Sequence, residues 1–224
     1  MALSALLDIR PGVTAVIGGG GKTTLLRTLG QELAGQGKRV LLCTTTKILP
    51  FPGLPCARTG AELELLRRTQ PLLCAGTPVP GTEKLTAPEV PMETLAAWFD
   101  YVLVEADGAA RRPLKAHAPH EPVIPAEANQ TICVVGASGF GRPIADAAHR
   151  PERYAFLAGV PETAEATPRT EAAVLRAEGL HTSVFVNQAE TPQALADAVA
   201  LAALLECPVL AGSLQRGEYV PCWL

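Results

Sequence analysis

The chain has 224 residues, of which 48% are hydrophobic and only 4% aromatic, so its core must be built mainly from alanine, leucine and valine. Its formal net charge of −3 argues against a nucleic-acid coat or a polybasic membrane protein, because both depend on excess lysine and arginine. No apolar run approaches the roughly 20 residues that span a bilayer, and no signal peptide is recognisable. The six cysteines form no CxxC pair. These features predict a cytoplasmic protein that binds neither nucleic acid nor membrane.

Short apolar runs alternate with amphipathic patterns along the chain. In chain order, we predict strands at residues 13–17, 38–43, 71–76, 101–105, 130–136, 181–187 and 207–212, and helices at residues 23–34, 61–69, 92–99, 170–179 and 191–205. Proline-rich segments at 50–55, 78–91 and 113–125 are predicted to be loops. Strands that alternate with helices pair in parallel, with helices on both faces of the sheet. The prediction is a single α/β domain over residues 1–224, a three-layer sandwich with a mostly parallel sheet.

A run of four glycines lies between the first predicted strand and the first predicted helix, in "VIGGGGKTT". Glycine lets backbone N–H groups turn towards phosphate oxygens, and the helix N-terminus adds a partial positive charge. The run matches GxxGKT, a shortened form of the GxxxxGK[ST] phosphate loop whose first glycine would fall on Val16. It predicts a P-loop NTPase-like fold that binds ATP or GTP through Gly18, Gly19, Gly20, Gly21, Lys22, Thr23 and Thr24. In this assignment Lys22 reaches the β- and γ-phosphates, and the Thr23 hydroxyl binds Mg²⁺.

Two carboxylates follow the predicted strand at 101–105, in "YVLVEADG". Glu105 and Asp107 are two residues apart, so on a strand they point to the same face. Ligands of parallel α/β sheets bind at the carboxyl ends of the strands. We therefore predict that Glu105 or Asp107 binds Mg²⁺ together with Thr23, and that the other carboxylate orients the attacking nucleophile. The sequence does not decide which acid is nearer the metal.

Three threonines and a lysine, in "CTTTK", follow the second predicted strand at the same edge of the sheet. Their hydroxyls, Thr45 in particular, are candidates to contact the γ-phosphate or Mg²⁺ and to order the next loop. They are equally compatible with the β-propensity of threonine at a strand end. Cys43, which precedes them, is predicted to be a core residue.

A basic loop directly follows the acidic pair, in "GAARRPLKAHAPHEPVIP". Its positive charge suits stabilisation of a transferring phosphate, and Arg112 or Lys115 is the candidate for that role. A solvated surface loop is the alternative. His117 and His120 are not on a clear helix and predict no metal site. Further along, Arg150 is a candidate arginine finger or, alternatively, half of a structural ion pair.

The strand at 181–187 ends in "NQAE", where phosphate-loop NTPases often carry Asn-Lys-x-Asp to recognise the nucleotide base. The amide of Asn187 offers both a donor and an acceptor, so it can hydrogen-bond a purine. Glu190 can accept from a base amino group. An ordinary strand-to-helix turn is the alternative to base contact by Asn187.

Together these segments resemble the YqeC family, accessory proteins of selenium-dependent hydroxylases. The resemblance covers nearly the whole chain and lies in "VIGGGGKTTLL", "LLCTTTKI", "VLVEADGAARRPLKAHAPHEPVIP", "AHRPE" and "VFVNQAE". The corresponding positions are Gly18–Thr24, Thr44–Lys47, Glu105–Gly108, Arg112–Pro125 and Arg150. Lys47 stands where the family usually has a histidine. The resemblance implies a phosphate-loop NTPase-like protein linked to the maturation of selenium-dependent molybdenum hydroxylases, with the client enzyme or its cofactor-maturation proteins as partners.

The function predicted from these observations is that of a Mg²⁺-dependent NTP hydrolase or phosphotransferase that serves as an accessory factor in that maturation. An ATP-dependent ligase or small-molecule kinase is an alternative, since the short loop also resembles that of Mur ligases. A third possibility is a non-catalytic, nucleotide-gated carrier that holds sulfur or selenium on a cysteine, for which Cys43 is the candidate.

Overall fold

The computed structural model describes residues 1–222, which form two compact units. The first unit comprises Met1–Val16, Thr23–Gly108 and Val123–Gln130, and the second comprises Ile17–Lys22, Ala109–Pro122 and the chain from Thr131 onward. Among residues 1–222, no helix combines the length and the apolar character needed to cross a bilayer.

The first unit is built on a parallel sheet. Its elements are α1 (Leu3–Leu6), β1 (Gly12–Gly18), α2 (Lys22–Gly35), β2 (Val40–Thr44), β3 (Cys56–Ala57), α3 (Gly60–Leu66), β4 (Leu72–Ala75), β5 (Thr77–Pro78), β6 (Leu85–Thr86), α4 (Met92–Trp98) and β7 (Tyr101–Glu105). The strand order is β3-β4-β2-β7-β1, and every neighbouring pair is parallel. Glu105 on β7 is in register with both Val16 on β1 and Thr44 on β2, so these three strands end at one edge.

Helices cover both faces of this sheet. On one face, Leu63 of α3 and Leu95 of α4 pack in a buried cluster with Leu41, Cys43 and other strand residues that point to the same face. On the opposite face, Gly30 of α2 lies so close to the sheet that an added Cβ would be 3.0 Å from a methyl carbon of Leu42. The alternation of neighbouring strand residues between the two faces is the ordinary period of a β-strand. The predicted three-layer arrangement is therefore present in the first unit.

The second unit is also built on mostly parallel strands. Its elements are β8 (Leu114–Lys115), β9 (Ala128–Gly136), α5 (Ile144–Ala147), β10 (Ala148–His149), α6 (Pro151–Ala158), α7 (Pro168–Glu178), β11 (Ser183–Asn187), α8 (Pro192–Ala202), β12 (Val209–Ser213) and β13 (Glu218–Pro221). The order is β9-β11-β12-β13, in which only the last pair is antiparallel. The predicted α/β class with mostly parallel strands is thus confirmed.

The predicted strands and helices are all present, with ends shifted by a few residues. Two of the predicted loops contain short strands, since β6 lies within residues 78–91 and β8 within residues 113–125. The segment at 50–55 has no helix or strand, as predicted. Helices α1, α5 and α6 and the edge strand β13 were not predicted.

A buried acid joins α6 to α7 in the second unit. The Tyr154 hydroxyl donates to a carboxylate oxygen of Glu171 at 2.7 Å, and both side chains are buried. The pKa of Glu171 is raised from an ordinary 4.5 to about 7, and burial is the largest cause. The hydrogen bond from Tyr154 opposes this rise, as does the charge of His117, whereas the negative charge of Glu178 adds to it. Because the folded-state pKa is the higher one, the folded chain retains a proton that the unfolded chain loses between about pH 4.5 and pH 7.

We expect the contribution of Glu171 to stability to fall as pH rises through that window and to level off above pH 7, by at most about 3 kcal/mol. The Glu171→Gln variant should show a flatter dependence of the unfolding free energy on pH. Urea unfolding at several pH values measures this slope. Glu206→Gln, which alters an exposed carboxylate, should retain the wild-type slope, and an unchanged slope in Glu171→Gln would contradict the assignment.

Candidate functional site

The glycine run forms a tight loop between the end of β1 and the start of α2. A Cβ added to any of its four glycines would lie within 2.6 Å of another atom of the second unit. At Gly19 that atom is the carbonyl oxygen of Pro113, and at Gly20 it is the Cα or amide nitrogen of Gly136. Real Cβ atoms do not approach so closely, so the neighbouring backbone requires glycine at these positions.

Two amides of the loop are used to hold it in place. The N–H of Gly19 donates to the carbonyl oxygen of Val134 at 2.9 Å, and the N–H of Gly20 donates to that of Arg112 at 3.1 Å. The sequence predicts that these two amides contact phosphate, but in this structure both already donate to carbonyl oxygens of the protein. The amides that remain suited to an anion are those of Gly21 and the first turn of α2, because the first N–H groups of a helix have no partner within the helix.

Lys22 folds back onto the loop that precedes it. Its side-chain nitrogen donates to the carbonyl oxygen of Gly18 at 2.7 Å, and the residue is only 5% exposed. The ammonium group is therefore enclosed by the loop itself.

Substitution of Gly20 tests whether the loop depends on this close packing. Gly20 and Gly37 both have a positive φ, of 72° and 78°, but an added Cβ at Gly37 meets nothing within 4 Å. We expect Gly37→Ala to destabilise the fold by about 1 kcal/mol through backbone strain alone, and Gly20→Ala by about 3 kcal/mol because a steric clash is added. Urea unfolding of both variants measures the difference, and equal losses would show that the contact with Gly136 is not limiting.

Asn187, at the end of β11, braces the same loop. Its side-chain nitrogen donates to the carbonyl oxygen of Gly20 at 2.7 Å, and its side-chain oxygen accepts from the amide of Leu214 at 3.1 Å. The next two polar residues of "NQAE" are also bound within the second unit. Ser138 donates to the Gln188 side chain at 2.6 Å, and Ser213 donates to Glu190 at 2.7 Å.

The carboxyl end of β7 brings together a hydroxyl and a carboxylate. The Thr23 hydroxyl donates to a carboxylate oxygen of Glu105 at 2.8 Å, and Glu105 is 8% exposed. Asp107 is fully buried. The Thr23 hydroxyl therefore contacts Glu105, one of the two acids proposed from the sequence as metal ligands.

The threonines after β2 bind the backbone around that carboxylate. The Thr44 hydroxyl donates to the main-chain carbonyl of Glu105 at 2.7 Å, and the Thr45 hydroxyl donates to that of Val123 at 2.6 Å. Thr45 was predicted to contact nucleotide; here its hydroxyl fixes the chain beside Ala106, whose carbonyl accepts from the Val123 amide. These contacts position the end of β7.

The cations of the basic loop differ in their partners. Lys115 is fully buried and forms an ion pair with Glu121 at 3.0 Å, and Arg150 binds the same carboxylate at 3.0 Å. Burial raises the pKa of Glu121, but hydrogen bonds and charges from Lys115 and Arg150 outweigh it and leave that pKa below its ordinary value. The guanidinium of Arg112 instead contacts the main-chain carbonyl of Asp146. Arg150 therefore forms a structural ion pair, the second of its two predicted roles.

Some partners in this region have no signal in the sequence. The amide and the ring Nδ1 of His117 both contact the carboxylate of Glu178, at 2.6 and 2.7 Å, in a buried pair.

Cys43 is buried, and burial raises its pKa to about 12. A sulfur or selenium carrier needs an accessible thiolate, so this environment opposes the carrier role that the sequence suggested for Cys43.

Comparison with known proteins identifies the family. The model of the YqeC protein family matches residues 14–152. The protein YqeC of Escherichia coli strain K12 is 34% identical over 159 residues, which cover 67% of this chain. The chain spans 62% of the length of that relative.

Two solved structures are distantly similar. One is the hydrogenase maturation factor HypB from Archaeoglobus fulgidus, with 13% identity, a TM-score of 0.44, and coverage of 96% of this chain and 87% of that one. The other is FtsY from Mycoplasma mycoides, with 11% identity, a TM-score of 0.45, and coverage of 96% and 65%. With a family model that matches more than half of its residues, the chain belongs to the YqeC family.

Proposed function

We propose that the protein binds a nucleoside triphosphate with Mg²⁺ and hydrolyses it or transfers its terminal phosphoryl group. The observation that carries this proposal is the enclosed ammonium of Lys22, held 2.7 Å from the Gly18 carbonyl in a loop that tolerates no side chain in place of its glycines. The Lys22 ammonium is a cationic donor that can bind an anion. It is placed to exchange a carbonyl oxygen for the more strongly charged oxygen of a phosphate.

The phosphate site in this proposal begins after Gly20. The amides of Gly19 and Gly20 already hold the loop, so the phosphates accept from Gly21 and from the first turn of α2. A helix of 14 residues starts at Lys22, and its N-terminal dipole favours an anion at this position.

The donor set around Glu105 fits Mg²⁺. A carboxylate and a hydroxyl in contact at 2.8 Å are hard oxygen ligands of the kind that this ion prefers. Among residues 1–222, no cluster of three or more histidine, cysteine, aspartate or glutamate side chains is placed to hold a metal. Mg²⁺ that is bound with a nucleotide usually takes its other ligands from phosphate oxygens and water, and the proposal assigns them in the same way here. When bound, the ion would neutralise charge that develops on the phosphates.

Arg112 is the better candidate to stabilise a transferring phosphate. The Lys115 side chain is fully buried in an ion pair with Glu121, and moving it would break that buried contact. The Arg112 guanidinium instead donates to a neutral carbonyl, that of Asp146. The main-chain carbonyl of Arg112 also accepts from Gly20, which fixes this residue beside the loop.

We place this activity in the maturation of selenium-dependent molybdenum hydroxylases, on the strength of the family resemblance. Nucleotide turnover would drive insertion or delivery of a cofactor into the client enzyme. Retention of the purified client on the nucleotide-loaded protein, and its release after hydrolysis, would support this role.

Thermal stabilisation by nucleotides tests the proposal. ATP, GTP and a non-hydrolysable analogue, each with and without Mg²⁺, should raise the melting temperature if they bind the folded state, with the larger rise when Mg²⁺ is present. Steady phosphate release with nucleotide alone would identify a hydrolase. Release that requires an added small acid or amine would identify a ligase or kinase, and no stabilisation by any nucleotide would overturn the proposal.

The Asn187→Ala variant tests whether this side chain supports nucleotide binding by bracing the loop or by contacting the base. Because Asn187 bonds the Gly20 carbonyl, we expect its loss to loosen the loop and weaken ATP and GTP binding equally, by about fivefold for one net hydrogen bond. Asn129→Ala is a matched control, since Asn129 likewise donates to a backbone carbonyl, that of Pro11. The base contact predicted from the sequence would instead appear as unequal losses for the two nucleotides.

A further inference from the structure

Two cysteines face each other across the edge of the first unit's sheet. Cys56 on β3 is in register with Cys74 on β4, and the two strands are parallel. Neighbouring strands lie about 4.8 Å apart, which is within the Cα separation of about 4.4 to 6.8 Å that a disulfide bridges. In-register residues point to the same face of a sheet. The register therefore places the two side chains next to each other, at a strand spacing that a disulfide can bridge.

The two thiols differ in access. Cys74 is 2% exposed, whereas Cys56 is only half-buried on the outermost strand of the sheet. Arg58 lies two residues further along the chain, and its positive charge favours the thiolate of Cys56. An accessible sulfur beside a cation and backed by a second thiol has the arrangement of an attacking cysteine with its resolving partner.

We infer that Cys56 and Cys74 form a thiol–disulfide exchange site whose substrates are low-molecular-weight disulfides. The Cys56 thiolate attacks one sulfur of the disulfide RSSR, forms a mixed disulfide and releases RS⁻. Cys74 then attacks the Cys56 sulfur and releases the second RS⁻, which takes up the proton that Cys74 loses. The two protein thiols are oxidised to one disulfide, and RSSR is reduced to two RSH.

The acidity of the two thiols agrees with these roles. The interaction with Cys74 and the charge of Arg58 lower the pKa of Cys56 to about 7, against the opposing effects of burial and Glu62. The interaction with Cys56 and burial raise the pKa of Cys74. Cys56 is therefore substantially ionised at neutral pH, while Cys74 keeps its proton until the second step.

Reaction of the reduced protein with oxidised glutathione at pH 7, followed by intact-mass and peptide mass spectrometry, tests the inference. The wild-type chain should lose two hydrogen atoms and yield a cross-linked peptide containing Cys56 and Cys74. The Cys74→Ser variant should stop at one glutathione on Cys56. Circular dichroism of the variants shows whether they fold.

Cys207 and Cys222 provide an internal control that needs no variant. Both are partly buried like Cys56, but burial raises the pKa of each. In the same wild-type sample they should be modified about tenfold more slowly than Cys56. Equal rates at the three cysteines, or a glutathione that stays on wild-type Cys56 without resolution by Cys74, would overturn the inference.

Discussion

Replacement of Lys22 by alanine is expected to lower nucleotide affinity about 100-fold, which corresponds to a loss of about 3 kcal/mol for a charge-assisted contact. The ammonium is enclosed by the glycine loop and donates to Gly18 at 2.7 Å, so it lies at the start of α2 where the phosphates are proposed to bind. Removal of the side chain eliminates the cation but leaves the backbone donors of the helix N-terminus. Some weak binding of nucleotide should therefore persist.

The measurement is titration calorimetry with ATP and Mg²⁺, beside urea unfolding of the free protein. Lys38→Ala removes an exposed lysine from the turn after α2 and should leave affinity unchanged. Lys22→Arg keeps the charge, but its larger, planar head group does not fit the enclosed position, so affinity should remain low. Wild-type affinity in Lys22→Ala would show that the phosphates bind elsewhere.

Much of the fold could be predicted because its signals are local. The strand "YVLVE" was predicted at residues 101–105 and is found at Tyr101–Glu105, since an unbroken apolar run between polar residues suits a fully buried parallel strand. Helix α8 begins as predicted from Thr191 and Pro192, with the threonine side chain accepting from Ala194 at 3.1 Å.

Helix α6 and strand β13 are two of the elements that were not predicted, and they were missed for different reasons. Helix α6 has a local signal, because Pro151 occupies its first turn and Gly159 ends it in the left-handed conformation, but the segment was interpreted only as a basic cluster. Strand β13 has no such signal. It is an antiparallel edge strand whose side chains are mostly exposed, so its sequence lacks a buried pattern.

The residues of the site were recognised more readily than their contacts. The glycines, Lys22 and Thr23 form a contiguous motif, whereas Asn187 reaches the loop from 167 residues further along the chain. No local pattern encodes that Pro113 and Gly136 crowd the glycines, or that Glu121 takes Lys115 into a buried ion pair. Such pairings depend on which strand ends the tertiary fold brings together.

Replacement of Glu105 by glutamine should abolish most of the Mg²⁺ dependence of nucleotide binding and lower turnover about 100-fold, the usual effect of removing one charged group from a phosphoryl-transfer site. In the wild-type chain the Thr23 hydroxyl donates to the Glu105 carboxylate at 2.8 Å. Glutamine keeps an oxygen that can accept this hydrogen bond, so the fold should be retained. What is lost is the negative charge that a divalent cation requires.

Nucleotide titrations with and without Mg²⁺, together with phosphate release, measure this effect. Glu93→Gln, which alters an exposed carboxylate on α4, should behave as wild type. Thr23→Ser keeps the hydroxyl and should retain activity, whereas Thr23→Ala should share the defect of Glu105→Gln because it removes the other proposed ligand. If Glu105→Gln binds nucleotide with the wild-type dependence on Mg²⁺, the cation is held by a different acid, and Asp107, fully buried two residues further along the chain, becomes the residue to substitute next.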